Sequence, residues 1–160
     1  MEINFLAVIV AALSSFIVGF VWYHPKVFGT IWMNEIGMTD EKIKQGNMAK
    51  IFGLTFLFAF MLAFMMQMLT IHQFGAFGMI GGDLANAKPS YLAFMNDYSD
   101  AFRTFKHGAF HGLLASLFIL MPSIATNSLF ERKSFRYAAI TSGYWMVVMT
   151  IMGAIICGWK

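Results

Sequence analysis

The sequence predicts an all-α integral membrane protein, a bundle of four transmembrane helices with short interfacial helices, and three observations carry that reading. Apolar residues make up 59% of the 160-residue chain and charged residues only 12%, where soluble domains run near 45–50% and about 25%. The mean hydropathy is +0.66. Four stretches, residues 3–24, 51–82, 107–130 and 137–159, contain no Asp, Glu, Lys or Arg, and each can supply the roughly 20 apolar residues that a helix needs to cross a bilayer. The pattern excludes a soluble enzyme, a nucleic-acid-binding protein and a secreted disulfide scaffold. Cys157 is the one cysteine and cannot form an intrachain disulfide. The partner implied is the lipid bilayer, with no nucleic acid, and the chain reads as one membrane domain over residues 1–160.

The first span is expected over residues 4–23. It ends in Trp22 and Tyr23, side chains suited to the membrane interface. Its only early charge is Glu2, and its apolar run exceeds the roughly 7–15 residues of a signal-peptide core, so it is read as a retained span. Pro25 stops or redirects the helix. Val27, Phe28, Ile31, Trp32 and Ile36 then recur at helical spacing up to Gly37, a C-terminal cap, which predicts a brief helix lying in the interface. Thr39 followed by Asp40 and Glu41 marks a second helix start that leads into the second span, residues 51–71.

The connection over residues 72–106 is the long one. Its first part, residues 74–82, holds four glycines and no charge and is either flexible or packed beneath another element. After Pro89, the positions Tyr91, Phe94 or Met95, Tyr98, Phe102 and Phe105 recur every three or four residues. Asn96, Asp97, Asp100, Arg103 and Lys106 lie opposite them. This predicts an amphipathic surface helix running into the third span. That span covers residues 107–127 and contains Pro122, an expected bend. A polar turn over residues 128–136, with Glu131, Arg132 and Lys133, precedes the fourth span at 137–159.

Basic residues set the expected orientation. Lys26, Lys42, Lys44, Lys50, Arg132, Lys133 and Arg136 lie on one side, seven in all, against four on the other, Lys88, Arg103, Lys106 and Lys160. Basic residues accumulate on the cytoplasmic side. Loops 24–50 and 128–136 are therefore expected in the cytoplasm, with both termini outside.

Two stretches carry a family resemblance. The end of the first span reads Gly19, Trp22, Tyr23, Pro25, Phe28, Gly29 and Trp32. The third connection reads Ala125, Thr126, Asn127, Ser128, Leu129, Phe130, Glu131 and Arg132, followed by Gly143, Tyr144 and Trp145. Together they resemble the bacterial membrane family known as domain of unknown function 1761, with His24 departing from the small or polar residue expected there. The resemblance covers residues 3–159 and implies a small multi-pass protein of the bacterial inner (plasma) membrane. It brings no activity, substrate or catalytic residue with it.

The chemistry must therefore be sought in the residues. None of the four expected spans carries Asp, Glu, Lys or Arg at depth, which argues against a carboxylate proton relay. His107 and His111 are four apart and share one helix face, a spacing suited to two nitrogen ligands on one metal ion. Further ligands would come from His24, His72 or a second protomer. The plainer reading is that both histidines sit at the membrane boundary, bonded to water, lipid or backbone. Met61, Met65 and Met68 with His72 form another stripe, a soft donor set suited to Cu(I), although methionine more often fills packing gaps. Small residues line further faces: Ala11, Ser15 and Gly19; Gly108, Gly112 and Ser116; Ala139 with Gly143; Ala154 with Gly158. These let helices approach closely, within one protomer or between the protomers of an expected homo-oligomer.

No phosphate loop, catalytic carboxylate pair or zinc-protease motif is present. Asp83, Asp97 and Asp100 form the one acidic neighbourhood on the His107 side, and no motif names a cofactor. The reading that follows is a self-associating, non-enzymatic membrane protein that binds or passes a small or lipidic ligand. Its alternatives are a metal- or haem-dependent membrane enzyme using His107 and His111, and an accessory subunit of another membrane complex.

Overall fold

The computed structural model describes residues 2–160, and among them every regular element is helical. The chain runs α1 (Phe5–Trp22), a π-helical turn (Pro25–Gly29), α2 (Thr30–Ile36), α3 (Asp40–Gln45), α4 (Met48–Thr70), α5 (His72–Met79), α6 (Pro89–Tyr98), α7 (Phe105–Ala115), a second π-helical turn (Ser116–Leu120), α8 (Met121–Phe130) and α9 (Phe135–Gly158). Four continuous helices, Phe5–Trp22, Met48–Thr70, Phe105–Phe130 and Phe135–Gly158, are long and apolar enough to cross a membrane. The chain is a multi-pass membrane protein.

The distribution of side-chain size says what solvent surrounds it. On α1 the large residues Leu6, Ile9, Leu13, Ile17 and Phe20 are exposed, while Ala7, Ala11, Ala12 and Ser15 are buried. On α4, Phe52, Leu57, Phe58 and Met61 face out, and Ala59 and Ala63 face in. Water would favour the reverse. In lipid the tails are as apolar as leucine, so helices associate through close packing of small residues and the large ones are left to the bilayer.

α9 is the centre of the bundle and packs against α1, α4, α7 and α8. Its nearest neighbour is α7. A methyl group on Gly108 would collide with the Gly153 carbonyl, and one on Gly112 with the Met149 carbonyl. The two backbones are therefore in direct contact. The bundle has two ends. At the terminal end lie the start of α1, the end of α4, the start of α7 and the end of α9. At the other, the turn end, Trp22 Nε1 donates to the Ile140 carbonyl at 3.1 Å and Tyr144 Oη to the Ser15 carbonyl at 3.1 Å. There Tyr23 packs on Tyr144 and Trp32, with ring centroids at 5.3 and 5.2 Å. The two stretches that carry the family resemblance thus meet in space.

Boundaries follow from local hydrogen bonding. Asn4, Thr39, Asn47, Thr104 and Ser134 each cap a helix with a side-chain oxygen that accepts a backbone N–H, as short polar residues do at this position. Gly37 ends α2 in the left-handed conformation, φ 60°, which a residue without Cβ adopts freely. The interfacial helix expected from Val27 is split, its first part being the π turn closed by the Gly29 N–H to the His24 carbonyl at 3.1 Å. The bend expected at Pro122 is met by the second π turn just before it. There the Met121 N–H reaches back five residues to Ser116. This relieves the ladder where proline has no N–H and crowds the carbonyl four residues earlier.

Two expectations for residues 72–106 are corrected. The glycine-rich stretch is helical through Met79 as part of α5, at a propensity cost of about 1 kcal/mol each for Gly75 and Gly78, and only then turns, with Gly81 and Gly82 at φ 62° and 77°. The amphipathic helix stops at Tyr98 rather than running into the third span. Gln73, buried on α5, donates from Nε2 to the carbonyls of Tyr98 at 2.7 Å and Ala101 at 3.0 Å. The chain leaves the helix there through turns that bring Phe102 to φ 63°, and the Gln73 bonds tie that turn to α5.

Candidate metal centre

The two ends of the segment over residues 71–104 meet at the terminal end of the bundle and bring a third histidine to the two on α7. α4 ends where Ile71 turns extended, φ −110° and ψ 99°, and His72 opens α5 just beyond this break. His107 and His111 occupy the first two turns of α7, whose start is capped by Thr104 Oγ1 accepting from the His107 N–H at 3.2 Å. Contact of Gly108 and Gly112 with α9 fixes the roll of α7 and leaves the His107–His111 face turned away from α9.

The three rings form a tight cluster. Ring centroids are 4.9 Å apart for His72 and His107, 5.2 Å for His72 and His111, and 4.4 Å for His107 and His111. Nε2 of His72 and Nε2 of His107 are 3.0 Å apart, and one nitrogen from each of the three lies within 4.8 Å of the others. Two nitrogens on a tetrahedral ion with bonds of about 2.0–2.1 Å stand about 3.4 Å apart, so the cluster would close by about 1.4 Å at most to converge on one ion. His72 is exposed, while His107 and His111 are partly covered. The Phe102 ring lies 5.8 Å from His72 and 5.1 Å from His107, and the Phe110 ring lies 5.8 Å from His111.

The surroundings hold this arrangement. Phe102 stands at φ 63°, and its carbonyl accepts from Cys157 Sγ at 3.4 Å, a thiol that also lies 3.3 Å from the Thr70 carbonyl. Arg103 donates from Nε to the Cys157 carbonyl at 3.0 Å and from its terminal nitrogen to the Trp159 carbonyl at 3.3 Å. These bonds join the end of α4, the 98–104 turn and the end of α9. The donor set of the cluster is three imidazoles with no carboxylate and no thiolate among the described residues, a set suited to zinc, copper, iron or nickel. A macrocycle does not fit among them, since ring centroids at 4.4–5.2 Å leave no slot for a haem between axial ligands.

Other residues singled out from the sequence lie elsewhere. His24 is at the turn end, where its Nδ1 accepts the Lys26 N–H at 3.2 Å. Met61, Met65 and Met68 point outward from α4, about half exposed, and the Ile71 break takes His72 off their stripe. Asp83 bonds to Asn86, Asp100 pairs with Lys160 at 3.2 Å, and Asp97 accepts from Asn96. None of the three acids joins the cluster. Most of the small residues meet their own chain: Ala11, Ser15 and Ser116 are buried, Gly19 lies beside Tyr144, Gly143 beside Trp22 and Gly158 beside Phe105, while Ala139 is exposed. These stripes thus serve packing within the protomer, apart from exposed Ala139.

Comparison with known proteins adds one finding. A family model described as "Protein of unknown function (DUF1761)" matches residues 6–157. No curated protein and no solved structure matches the chain.

Proposed function

The chain belongs to the DUF1761 family of proteins of unknown function, and we propose that it is a metal-binding membrane protein, holding one transition-metal dication of the zinc class through His72, His107 and His111. The observation that carries this reading is the convergence of three imidazoles, with nitrogens within 4.8 Å of one another, from two helices 35 residues apart in sequence. An isolated pair on one helix is ordinary; a third ring delivered by a broken helix and a buried glutamine tie is a built arrangement. Structural zinc sites are closed by four protein ligands, whereas three ligands leave a position for water or a small anion. The centre is accordingly an exchangeable one, open through exposed His72.

The seven-to-four excess of basic residues at the turn end supports an orientation with that end in the cytoplasm of a bacterial cell and the histidines at the outer face of its inner membrane. The test of the function is elemental analysis of the full chain purified in mild detergent without chelator, beside the His107→Ala variant. The reading expects about one metal ion per wild-type chain and a near-total loss in the variant. Equal metal content in the two would overturn it.

A further inference from the structure

The end of the bundle away from the histidines carries a second feature, a groove of about 570 Å³ open along one side between α8 and α9. Its walls are almost wholly apolar, formed by Met121, Ala125 and Leu129 on one side and Ala139 and Met146 on the other, and Lys133 stands at its mouth. We propose that this groove seats one acyl chain of an anionic phospholipid whose phosphate is held by Lys133.

Three observations carry this. The groove has the polarity of a lipid, with one basic end and a long apolar remainder. From Ser134 to Met146 it follows α9 for about 18 Å at the rise of a helix, close to the roughly 15 Å depth of one leaflet. The charge at the mouth is free to act. Arg136 nearby is paired with Glu35 at 3.8 Å, while Lys133 has no acidic partner among the described residues and its Nζ rests 5.9 Å from the Tyr137 ring. A lysine in that position keeps its ammonium at headgroup level while its stem lies on apolar surface. The floor is shaped by small side chains, Ala138, Ala139 and Ser142. Ala139 is exposed in the groove, so its side of α9 is bare of protein. Any lipid chain can enter such a groove; the lysine selects the anionic ones.

The test uses the full chain in mild detergent with equal amounts of phosphatidylglycerol and phosphatidylcholine of matched chains, read by native mass spectrometry. The wild type is expected to retain one phosphatidylglycerol per chain with about a fivefold preference, the measure of one basic residue at an anionic surface. Lys133→Gln is expected to keep a lipid but lose the preference. Ala139→Trp fills the groove and is expected to lower retention of both lipids at least fivefold. Equal retention of the two lipids by the wild type would overturn the proposal, as would wild-type retention by a folded Ala139→Trp. A shift of oligomeric state in Ala139→Trp with lipid retention unchanged would assign the groove to a second copy of the chain and also overturn it. Helix content by circular dichroism establishes that each variant is folded, and if Ala139→Trp is not, the Lys133→Gln comparison decides alone.

Discussion

His72, His107 and His111 sit at the surface of the terminal end rather than in the core, so their loss should separate metal binding from folding. Replacing any one by alanine is expected to weaken metal affinity at least tenfold, since even the residues behind metal ligands cost ten- to a hundredfold. For exposed His72, stability without metal should move by no more than about 0.5 kcal/mol. Competition against a chromophoric chelator measures the first and thermal unfolding in detergent the second. Arg132 offers the opposite kind of prediction. It holds φ 54° at the end of α8, where the Lys133 N–H returns to the Ser128 carbonyl at 2.8 Å. A side chain there costs about 1–2 kcal/mol, while glycine loses about 0.5–1 kcal/mol more backbone freedom on folding. Arg132→Gly should therefore raise stability by about 0.5–1 kcal/mol, seen as a higher unfolding midpoint. At this scale the sequence was partly legible. The spacing of His107 and His111 follows from helix geometry, so their pairing could be read directly. His72 could be read only as one candidate among several, because what delivers it is the Ile71 break and the bonds of Gln73, neither of which has a local signature.

Among the elements, α7 and α9 show how a pairing is written in small residues. Gly112 faces the Met149 carbonyl across the interface without room for a methyl group. Alanine would gain about 1 kcal/mol in helix propensity. Overpacking against a backbone atom, which no rotamer relieves, costs about 1–3 kcal/mol or more, so the steric term wins. Gly112→Ala is expected to destabilise the bundle by up to about 2 kcal/mol and to loosen the His107–His111 face with it. Gly19→Ala is the control, because a methyl there meets the Tyr144 ring at an ordinary 3.7 Å and should be nearly neutral. Unfolding of the two variants by a denaturing detergent, followed by circular dichroism, checks both. The four spans were legible because a bilayer demands length and the absence of charge. α5 was not, because Gly75 and Gly78 read as breakers, although each costs a helix only about 1 kcal/mol relative to alanine. The end of α6 at Tyr98 was hidden for another reason: its amphipathic pattern continues to Phe105, and the left-handed Phe102 and the bonds from distant Gln73 that mark the break have no local signature.

For the molecule as a whole, composition spoke clearly about the surroundings and faintly about the arrangement. In water, hydrophobic contrast says which face of each helix turns inward. Here large apolar residues such as Leu13 and Phe20 lie outside, and that contrast is gone. The place of α9 at the centre could not be read from its pattern. What remains visible is the fixed relation of the ends: the histidines share the end that carries both termini, and Lys133 and its groove occupy the other. Single cysteines introduced beside the N-terminus and at Lys160, in a chain whose buried Cys157 is replaced by serine, should both be labelled by a membrane-impermeant reagent from outside the cell. A cysteine at Lys44 should not. The central claim, a metal held by three imidazoles drawn from α5 and α7, is tested most directly by X-ray absorption at the metal edge of the purified full chain beside His72→Ala. The account predicts three nitrogen neighbours at about 2.0–2.1 Å in the wild type and a first shell short of one imidazole, or no metal, in the variant. An identical spectrum from the two proteins, or a wild-type chain that retains no transition metal when zinc is supplied, would contradict it.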